Sequence, residues 1–211
     1  MEERSAFALL VGTVVDATTV PAPFTPQPPR TPISVNFDGI GTPPVPSDAI
    51  SARAFAGGAF VLAFESNDVA VDGPSSSGPS PKHLAGAFDV HFTLSAEGYA
   101  DLPALYSCNN DALPIVPAAY VLQPNPIAVQ GQVSAASGAV AGASVQITAE
   151  SPPPAALPAA TTTDANGMYA IASVPAAQSI TISAAGSGGA ALQTIPLDYP
   201  GSVVTVNLVL T

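Results

Sequence analysis

The sequence has no tryptophan, a single cysteine and only four basic residues, Arg4, Arg30, Arg53 and Lys82. Against 15 acidic residues these four cations give a net charge of −11, which excludes an electrostatic surface for nucleic acid or for anionic lipid. The lone Cys108 cannot form an internal disulfide, which is typical of a reducing compartment. No apolar run approaches the roughly 20 residues that a membrane-spanning helix needs, so we predict no membrane insertion.

The N-terminus lacks the pattern of a secretory signal. Acidic residues Glu2 and Glu3 stand where basic residues should, and the apolar run that follows ends at Gly12. We therefore expect a cytoplasmic location at synthesis, for the free chain or as part of a particle released later, unless a leader precedes this sequence.

Proline and glycine are abundant, at 24 and 17 residues, and they separate many short apolar segments. With 47 % hydrophobic and 9 % charged residues, the chain has ample material for a core, and no window shows a helical stripe. This composition predicts an all-β protein of one or two domains. Residues 126–211 contain no Lys or Arg at all. Such a neutral surface indicates burial in an assembly, although a genome that favours Ala and Pro codons would give the same bias.

The clearest local signal is a hairpin at residues 161–171, whose turn is Asp164-Ala-Asn-Gly167. In residues 87–95 alternation is also strong, with Phe88, Val90, Phe92 and Leu94 on one face. Residues 17–32 are rich in proline and predict an extended, largely unpaired loop, and residues 72–81 a mobile loop or an insertion. The other predicted strands of the first half cover residues 6–15, 33–37, 50–55, 59–64 and 118–122.

The second half repeats the order of the first. Residues 129–133 match 11–14, residues 142–147 match 32–37, residues 166–171 match 57–62, and residues 179–186 match 90–98. Residues 203–210 then close the second copy as 118–122 close the first. We therefore predict two copies of one β-sandwich, at residues 1–124 and 127–211, joined by Pro124-Asn-Pro126.

The second copy resembles the carboxypeptidase regulatory-like domains. The residues that carry the resemblance are Gly131-Gln-Val133, Ala141-Gly-Ala-Ser-Val145, Thr162-Thr-Asp-Ala-Asn-Gly-Met-Tyr169, Val174-Pro175 and Ile180-Thr-Ile-Ser-Ala-Ala-Gly186. It implies two tandem transthyretin-like or Ig-like β-sandwiches, with Gly57-Gly58 of the divergent first copy in place of the Asp-x-Asn-Gly turn. Such domains resemble spacers and docking modules, so the resemblance implies no particular function.

No group of residues predicts a reaction. The only histidines, His83 and His91, have no third metal ligand at a suitable spacing, and we interpret His91 as a polar side chain on a strand face. We place Cys108 in a loop, as a half-buried thiol rather than a nucleophile, because no histidine is paired with it. Asp164-Ala-Asn-Gly167 lacks the later glutamate of a calcium loop and is better explained as a turn.

Two weaker possibilities remain open in the loops. Asp68, Asp72 and Asp111 could come together to bind calcium. Tyr99, Tyr106 and Tyr199 lie near predicted turns, where exposed rings could contact a sugar, while Phe7, Phe60, Phe88, Phe92 and Tyr169 are predicted to be buried. We predict no catalytic residue, no cofactor and no metal ligand.

The sequence favours a non-catalytic structural or adaptor protein whose partners are protein subunits of a large assembly. By resemblance of domain type, that assembly would be a phage-tail-like or contractile injection particle. Contact would be made by exposed strand edges or by the 17–32 loop. The alternative is a cell-surface adhesin or a carbohydrate-binding module. A small-molecule substrate is not expected.

Overall fold

A computed structural model describes residues 6–20, 25–40, 51–66, 69–71, 82–84, 87–109, 115–154, 156–197 and 201–211. In these ranges the chain is all-β, as predicted, with two short 3-10 turns, Ala17–Thr19 and Ala56–Gly58. No helix among the described residues has the length and apolar character required to cross a membrane.

The chain divides into two compact units. The first comprises Met1–Asp16, Pro26–Ala96 and Ala100–Leu122. The second comprises Ala17–Thr25, Glu97–Tyr99 and Gln123–Thr211. The domain boundaries inferred from the sequence, 1–124 and 127–211, stay a prediction.

The described residues of the first unit form nine strands in three sheets. In chain order they are β1 (Ala6–Asp16), β2 (Ile33–Ile40), β3 (Ser51–Ala54), β4 (Ala59–Ser66), β5 (Val69–Val71), β6 (Lys82–Leu84), β7 (Ala87–Ala96), β8 (Leu102–Asn109) and β9 (Tyr120–Leu122). One sheet has the order β3-β4-β1-β9, a second has the order β2-β7-β8, and β5 pairs with β6. All pairings are antiparallel except β1 with β9, which is parallel.

Aromatic rings connect the two larger sheets of the first unit. Phe60 of β4 and Phe92 of β7 are fully buried, with ring centroids 5.5 Å apart, and both contact Tyr120 of β9. Gly12 of β1 lies opposite Phe60, and a Cβ there would come within 2.3 Å of the Phe60 ring. Glycine at this position therefore makes room for the ring that joins the sheets.

In the second unit, the residues that the structure describes form nine strands in two sheets. They are β10 (Ile127–Ala135), β11 (Gly138–Ala139), β12 (Ser144–Ser151), β13 (Thr161–Thr162), β14 (Met168–Val174), β15 (Ser179–Gly186), β16 (Gly189–Pro196), β17 (Val203–Thr205) and β18 (Leu208–Val209). One sheet has the order β11-β10-β14, with β17 and β18 parallel to β10, and the other has the order β13-β12-β15-β16. One buried cluster contains apolar residues from both sheets, so this unit is a sandwich.

The two units share one order of pairing. In each, the first strand pairs with a later antiparallel strand and with a closing parallel strand: β1 with β4 and β9, β10 with β14 and β17. In the other sheet, β2-β7-β8 corresponds to β12-β15-β16. Even the bulges correspond, because the register of β2 shifts around Asp38 and that of β12 around Thr148. The strand pairings are thus those of an internal repeat.

The last strand of that second sheet is missing from the sequence-based predictions in both halves. β8 covers Leu102–Asn109 and β16 covers Gly189–Pro196. Cys108 therefore lies on a strand and the prediction of a loop was wrong, although its side chain is outside the described part. The predicted loop 72–81 also falls outside it.

Two contacts within the first unit join the residues that flank the start of the proline-rich segment to residues near its end. The amide of Asp16 donates a hydrogen bond to the carbonyl of Gln27, at 2.8 Å. The side chain of Asp16 is buried and its Oδ2 lies 3.3 Å from Nε of Arg30. No strand lies in the described residues 25–32, in agreement with the expected unpaired loop, and the Asp16–Arg30 ion pair closes this segment.

Candidate interaction surface

The residues considered for chemistry do not come together. His83 lies on β6 and His91 on β7, and among the described residues no three His, Cys, Asp or Glu side chains are placed to hold a metal ion. His91 is half-buried, and its Nε2 atom has no hydrogen-bond partner within the described ranges. Asp68, Asp72, Asp111 and Tyr199 lie outside the part of the chain that the structure describes.

Asp164 forms a turn, as the sequence predicted. Its Oδ1 accepts hydrogen bonds from the amides of Asn166 and Met168, both at 2.8 Å, and Gly167 has a φ of 72°. A carboxylate that binds its own backbone in this way fixes the reversal between β13 and β14. The turn interpretation is confirmed.

The aromatic residues offer little surface for stacking on a sugar. Tyr99 is buried, contrary to the expectation that it could be exposed, and Tyr106 is half-buried. Phe60, Phe92 and Tyr169 are buried as predicted, and the side chains of Phe7 and Phe88 are not described. Tyr169 donates a hydrogen bond from its hydroxyl to the carbonyl of Val206 at 2.7 Å, and burial raises the pKa of Tyr169 to about 12.

The outer face of the β2-β7-β8 sheet is acidic. Asp38 accepts hydrogen bonds from Asn36 Nδ2 at 3.0 Å and from Thr93 Oγ1 at 2.8 Å. On the same face, Ser107 Oγ donates to Asp89 Oδ1 at 2.6 Å. Two carboxylates held by polar neighbours make this a surface that water and counter-ions solvate well.

The corresponding face of the second unit carries no charged side chain among the residues that the structure describes. We define the neutral face as the residues of the β13-β12-β15-β16 sheet that alternate with its buried ones: Ser144, Gln146, Thr148, Thr162, Thr181, Ser183, Ala185, Ala190, Leu192 and Thr194. Thr181 and Thr194 share a hydrogen bond between their hydroxyls at 2.8 Å, and Thr148 Oγ1 donates to the carbonyl of Thr181 at 3.3 Å. The hydroxyls thus satisfy one another, and Leu192 is 70 % exposed beside them.

Strand β16 is a long and regular edge of that sheet. Its ladder with β15 runs from Gly189 to Pro196 without a shift in register, and none of its residues is charged. The edge strand of the other sheet, β14, is irregular, because Ser173 has a φ of 56° and the ladder to β10 shifts near Ile127. Edges of soluble proteins are usually protected by charge, proline or bulges, so β16 is unusual in having proline only at its end.

Glu150 is the only charged residue on the strands β12, β13, β15 and β16, and its side chain is buried on the inner side of their sheet. The bulge at Thr148 changes the alternation of β12, so that Glu150 takes the inward position opposite Ile180. It is 7 % exposed, and neither carboxylate oxygen has a hydrogen-bond partner in the described part of the protein. Burial raises the pKa of Glu150 to about 7. In the first unit the equivalent residue is Ile40, opposite Val90.

Each unit also has an open pocket, and neither resembles a catalytic cleft. The pocket of the second unit has a volume of about 390 Å³ and contains no ionisable side chain. Most of its lining is proline: Pro124, Pro126, Pro152, Pro153, Pro154 and Pro175. The pocket of the first unit, about 400 Å³, has Arg30 as its one charged residue. Neither lining supplies an acid and a base together.

Solved structures with a similar arrangement are distant. The Bacillus anthracis TIE protein is 9 % identical with a TM-score of 0.38, and the match covers 96 % of this chain and 33 % of that one. The major pilin subunit BcpA of Bacillus cereus is 10 % identical with a TM-score of 0.31, covering 99 % and 61 %. The major pilin of Streptococcus pyogenes is 9 % identical with a TM-score of 0.31, covering 97 % and 98 %. This chain therefore spans a third to three-fifths of the first two proteins.

Sequence comparisons give a sharper result for the second half alone. No curated protein has a significantly similar sequence. The family model of the carboxypeptidase regulatory-like domain matches residues 128–211. That range includes nearly all of β10 and every later strand, which confirms the resemblance inferred from the turn and strand motifs. Residues 128–211 are a carboxypeptidase regulatory-like domain.

Proposed function

We propose that this protein is a non-catalytic structural subunit that works by binding other protein subunits. The observation that carries the proposal is the neutral face of the second unit, which ends in the regular edge of β16. A sheet face without charge costs little to desolvate, and an open edge offers main-chain hydrogen bonds to another strand. Both features favour contact with protein over contact with ions, nucleic acid or a charged substrate.

The described residues also contain little from which an enzyme site could be built. The pockets described above lack a pair of titratable groups, and His91 and Glu150 lie on different units. Glu150 is enclosed, with no proton donor or acceptor beside it among the described residues. A structural role needs none of these groups to react.

Two versions of this role differ in where the protein acts. A phage-tail-like or contractile injection particle rests on domain type alone. A surface adhesin, the alternative, agrees better with the two pilins among the similar structures. In both versions the partners are protein subunits. Only the first version includes the expected cytoplasmic location of the chain at synthesis.

Native fractionation of cells that make the protein tests the proposal. We expect the chain to migrate in a complex much larger than its own 20.9 kDa, together with other proteins identified by mass spectrometry. Labelling intact cells with an impermeant reagent then separates the versions, because an adhesin is labelled and a cytoplasmic particle is not. A chain that migrates alone at its own mass and binds no protein would refute the structural role.

A further inference from the structure

Glu150 lies near the end of β12, beyond the bulge at Thr148. We call residues 149–151 the end segment; they pair with residues 179–181 of β15. The bulge directs the Glu150 side chain inward, where it is buried without a hydrogen-bond partner among the described residues. Burial there favours the protonated carboxyl, because an ionised carboxylate would lose its hydration and gain no hydrogen bond in return.

No basic group of the second unit can neutralise Glu150 when it ionises. The unit has no Lys, Arg or His, and its other carboxyl groups belong to Glu97, Asp164 and Asp198. Glu97 and Asp164 are exposed, and Asp198 lies outside the described residues. The buried core of both sheets is apolar, and the polar groups buried in the described part of the unit are uncharged near neutral pH: the hydroxyls of Thr18, Thr19, Thr163 and Tyr169. An ionised Glu150 is therefore stabilised only by reaching water.

The end segment is paired on one side only. Beyond Val145, where the pairing with β13 ends, no described strand pairs with the other side of β12. Pro152 follows the segment and has no amide with which to extend a ladder. Strand β15, in contrast, pairs with β16 along its whole length, so it keeps its place when the end segment separates. Opening at this point can thus expose Glu150 while the rest of the sandwich stays folded.

We propose that the end segment is a pH-sensitive switch, which separates from β15 by a movement at the Thr148 bulge when Glu150 ionises. With the segment paired, burial raises the pKa of Glu150 to about 7, from an ordinary value of 4.5. The added stability of the paired state is present in full below pH 4.5 and is lost as the pH rises through 7. The switch lies within one chain and does not depend on the proposed binding to other subunits.

Hydrogen exchange of single amides in the full-length protein, followed by NMR, tests the switch. The reporter is the amide of Gln178, which donates to the carbonyl of Ser151 at 2.7 Å and is released when the end segment separates. After correction for the intrinsic effect of pH on exchange, we expect its protection to fall roughly 40-fold between pH 5 and pH 7. Unchanged protection would show that Glu150 ionises without opening the segment, and would overturn the proposal.

Urea separates this local opening from unfolding of the whole unit. The reference is the amide of Val133 in the other sheet, which donates to the carbonyl of Gly167 at 2.8 Å. Below the unfolding transition, Gln178 should exchange faster than Val133 and almost independently of urea, because the opening exposes little surface. If the two amides had the same protection and the same dependence on urea, Gln178 would exchange by global unfolding and the proposal would be wrong.

Three variants assign the effect to the buried carboxyl. Glu150→Gln keeps the shape of the side chain, and Glu150→Ile introduces the residue type of Ile40, its equivalent beyond the bulge of the first unit. In both, the corrected protection of Gln178 should stay within about twofold between pH 5 and pH 7. Glu97→Gln, which removes an exposed carboxyl from the same unit, is the control and should retain the full change. A wild-type response in either Glu150 variant, or its loss in Glu97→Gln, would assign the opening to another group and overturn the proposal.

Discussion

The two units build the same sheet and finish its outer face differently. On β2-β7-β8 that face holds Asp38 and Asp89 in hydrogen bonds, and its edge strand carries Pro103. On β12-β15-β16 the same positions hold hydroxyls, and the edge strand carries Leu192 in place of proline. One copy of the repeat thus has the protections of a soluble surface, and the other lacks them. The difference shows that the pairing pattern determines the sheet, while the face and edge residues determine what the sheet can contact.

The largest expected effect on stability comes from two glycines that lie against aromatic rings, Gly131 beside Tyr169 and Gly12 beside Phe60. A Cβ on Gly131 would lie 1.8 Å from the carbonyl oxygen of Val206, which belongs to the backbone, whereas one on Gly12 meets the Phe60 ring, which can move. We expect Gly131→Ala to cost about 3–5 kcal/mol and Gly12→Ala about 1–3 kcal/mol. Urea denaturation of the two variants measures both values. Equal losses would show that the two sites are packed alike.

The next largest effect comes from the Asp16–Arg30 ion pair of the first unit. The second unit has no Lys or Arg with which to form such a pair. Arg30→Ala leaves the buried carboxylate of Asp16 without its cation and should cost about 3 kcal/mol in the free energy of unfolding. Arg53→Ala, on the half-exposed strand β3, is the control and should cost less than about 0.5 kcal/mol. A small loss at Arg30 would mean that water reaches Asp16.

The stability of the second unit should depend on pH through its buried Glu150. The equivalent residue of the first unit, Ile40, has no group that ionises. In the folded protein the pKa of Glu150 is about 7, above its usual value of 4.5, so the folded state binds this proton more tightly than the unfolded state does. The corresponding stability is present below pH 4.5 and is lost as the pH rises through 7. Between pH 5 and pH 8, Glu150→Gln should therefore gain about 2 kcal/mol relative to wild type.

Urea denaturation at the two pH values measures this gain. Asp101→Asn, which removes an exposed carboxylate from the first unit, serves as the control and should show no such change. A pH dependence that Glu150→Gln leaves intact would assign the effect to another group.

The smallest effect compares equivalent positions on the two outer faces. Thr93→Val removes the hydrogen bond to Asp38 and should cost about 1 kcal/mol. Ser183→Ala, at the matching position of the neutral face, should stay within about 0.5 kcal/mol. Thermal melts of the two single variants suffice, and a similar loss in both would mean that the acidic network adds nothing.

Much of this fold could be predicted from the sequence, and the missing parts share a physical cause. Strands such as β7 were predicted because one face is buried, which makes the residues alternate: Val90, Phe92 and Leu94 are fully buried. The edge strands β8 and β16 were missed in both copies, because edge positions alternate weakly and β16 is largely Ala, Gln and Thr. Glu150 was missed because one bulge residue, Thr148, turns it inward, and no pattern of alternation shows a bulge.

The candidate surface was predicted only in outline. The absence of Lys and Arg and the scarcity of acidic residues in residues 126–211 were visible and indicated association. The edge that bounds this face was not visible, because strand β16 itself was missed.

In each unit the first strand pairs in parallel with a strand near the end of that unit, and this pairing affects how the chain folds during synthesis. Val14 pairs with Tyr120, and Ala128 pairs with Val203, so neither sheet can close until its final strand has left the ribosome. Contacts so far apart in sequence slow folding. One edge of β1 and one edge of β10 also stay unpaired while the residues between the paired strands are synthesised. For a chain whose second half has almost no charge to keep unfinished strands apart, the interval between translating residue 127 and residue 203 is when aggregation is most probable. A nascent chain halted within that interval should need a chaperone to stay soluble.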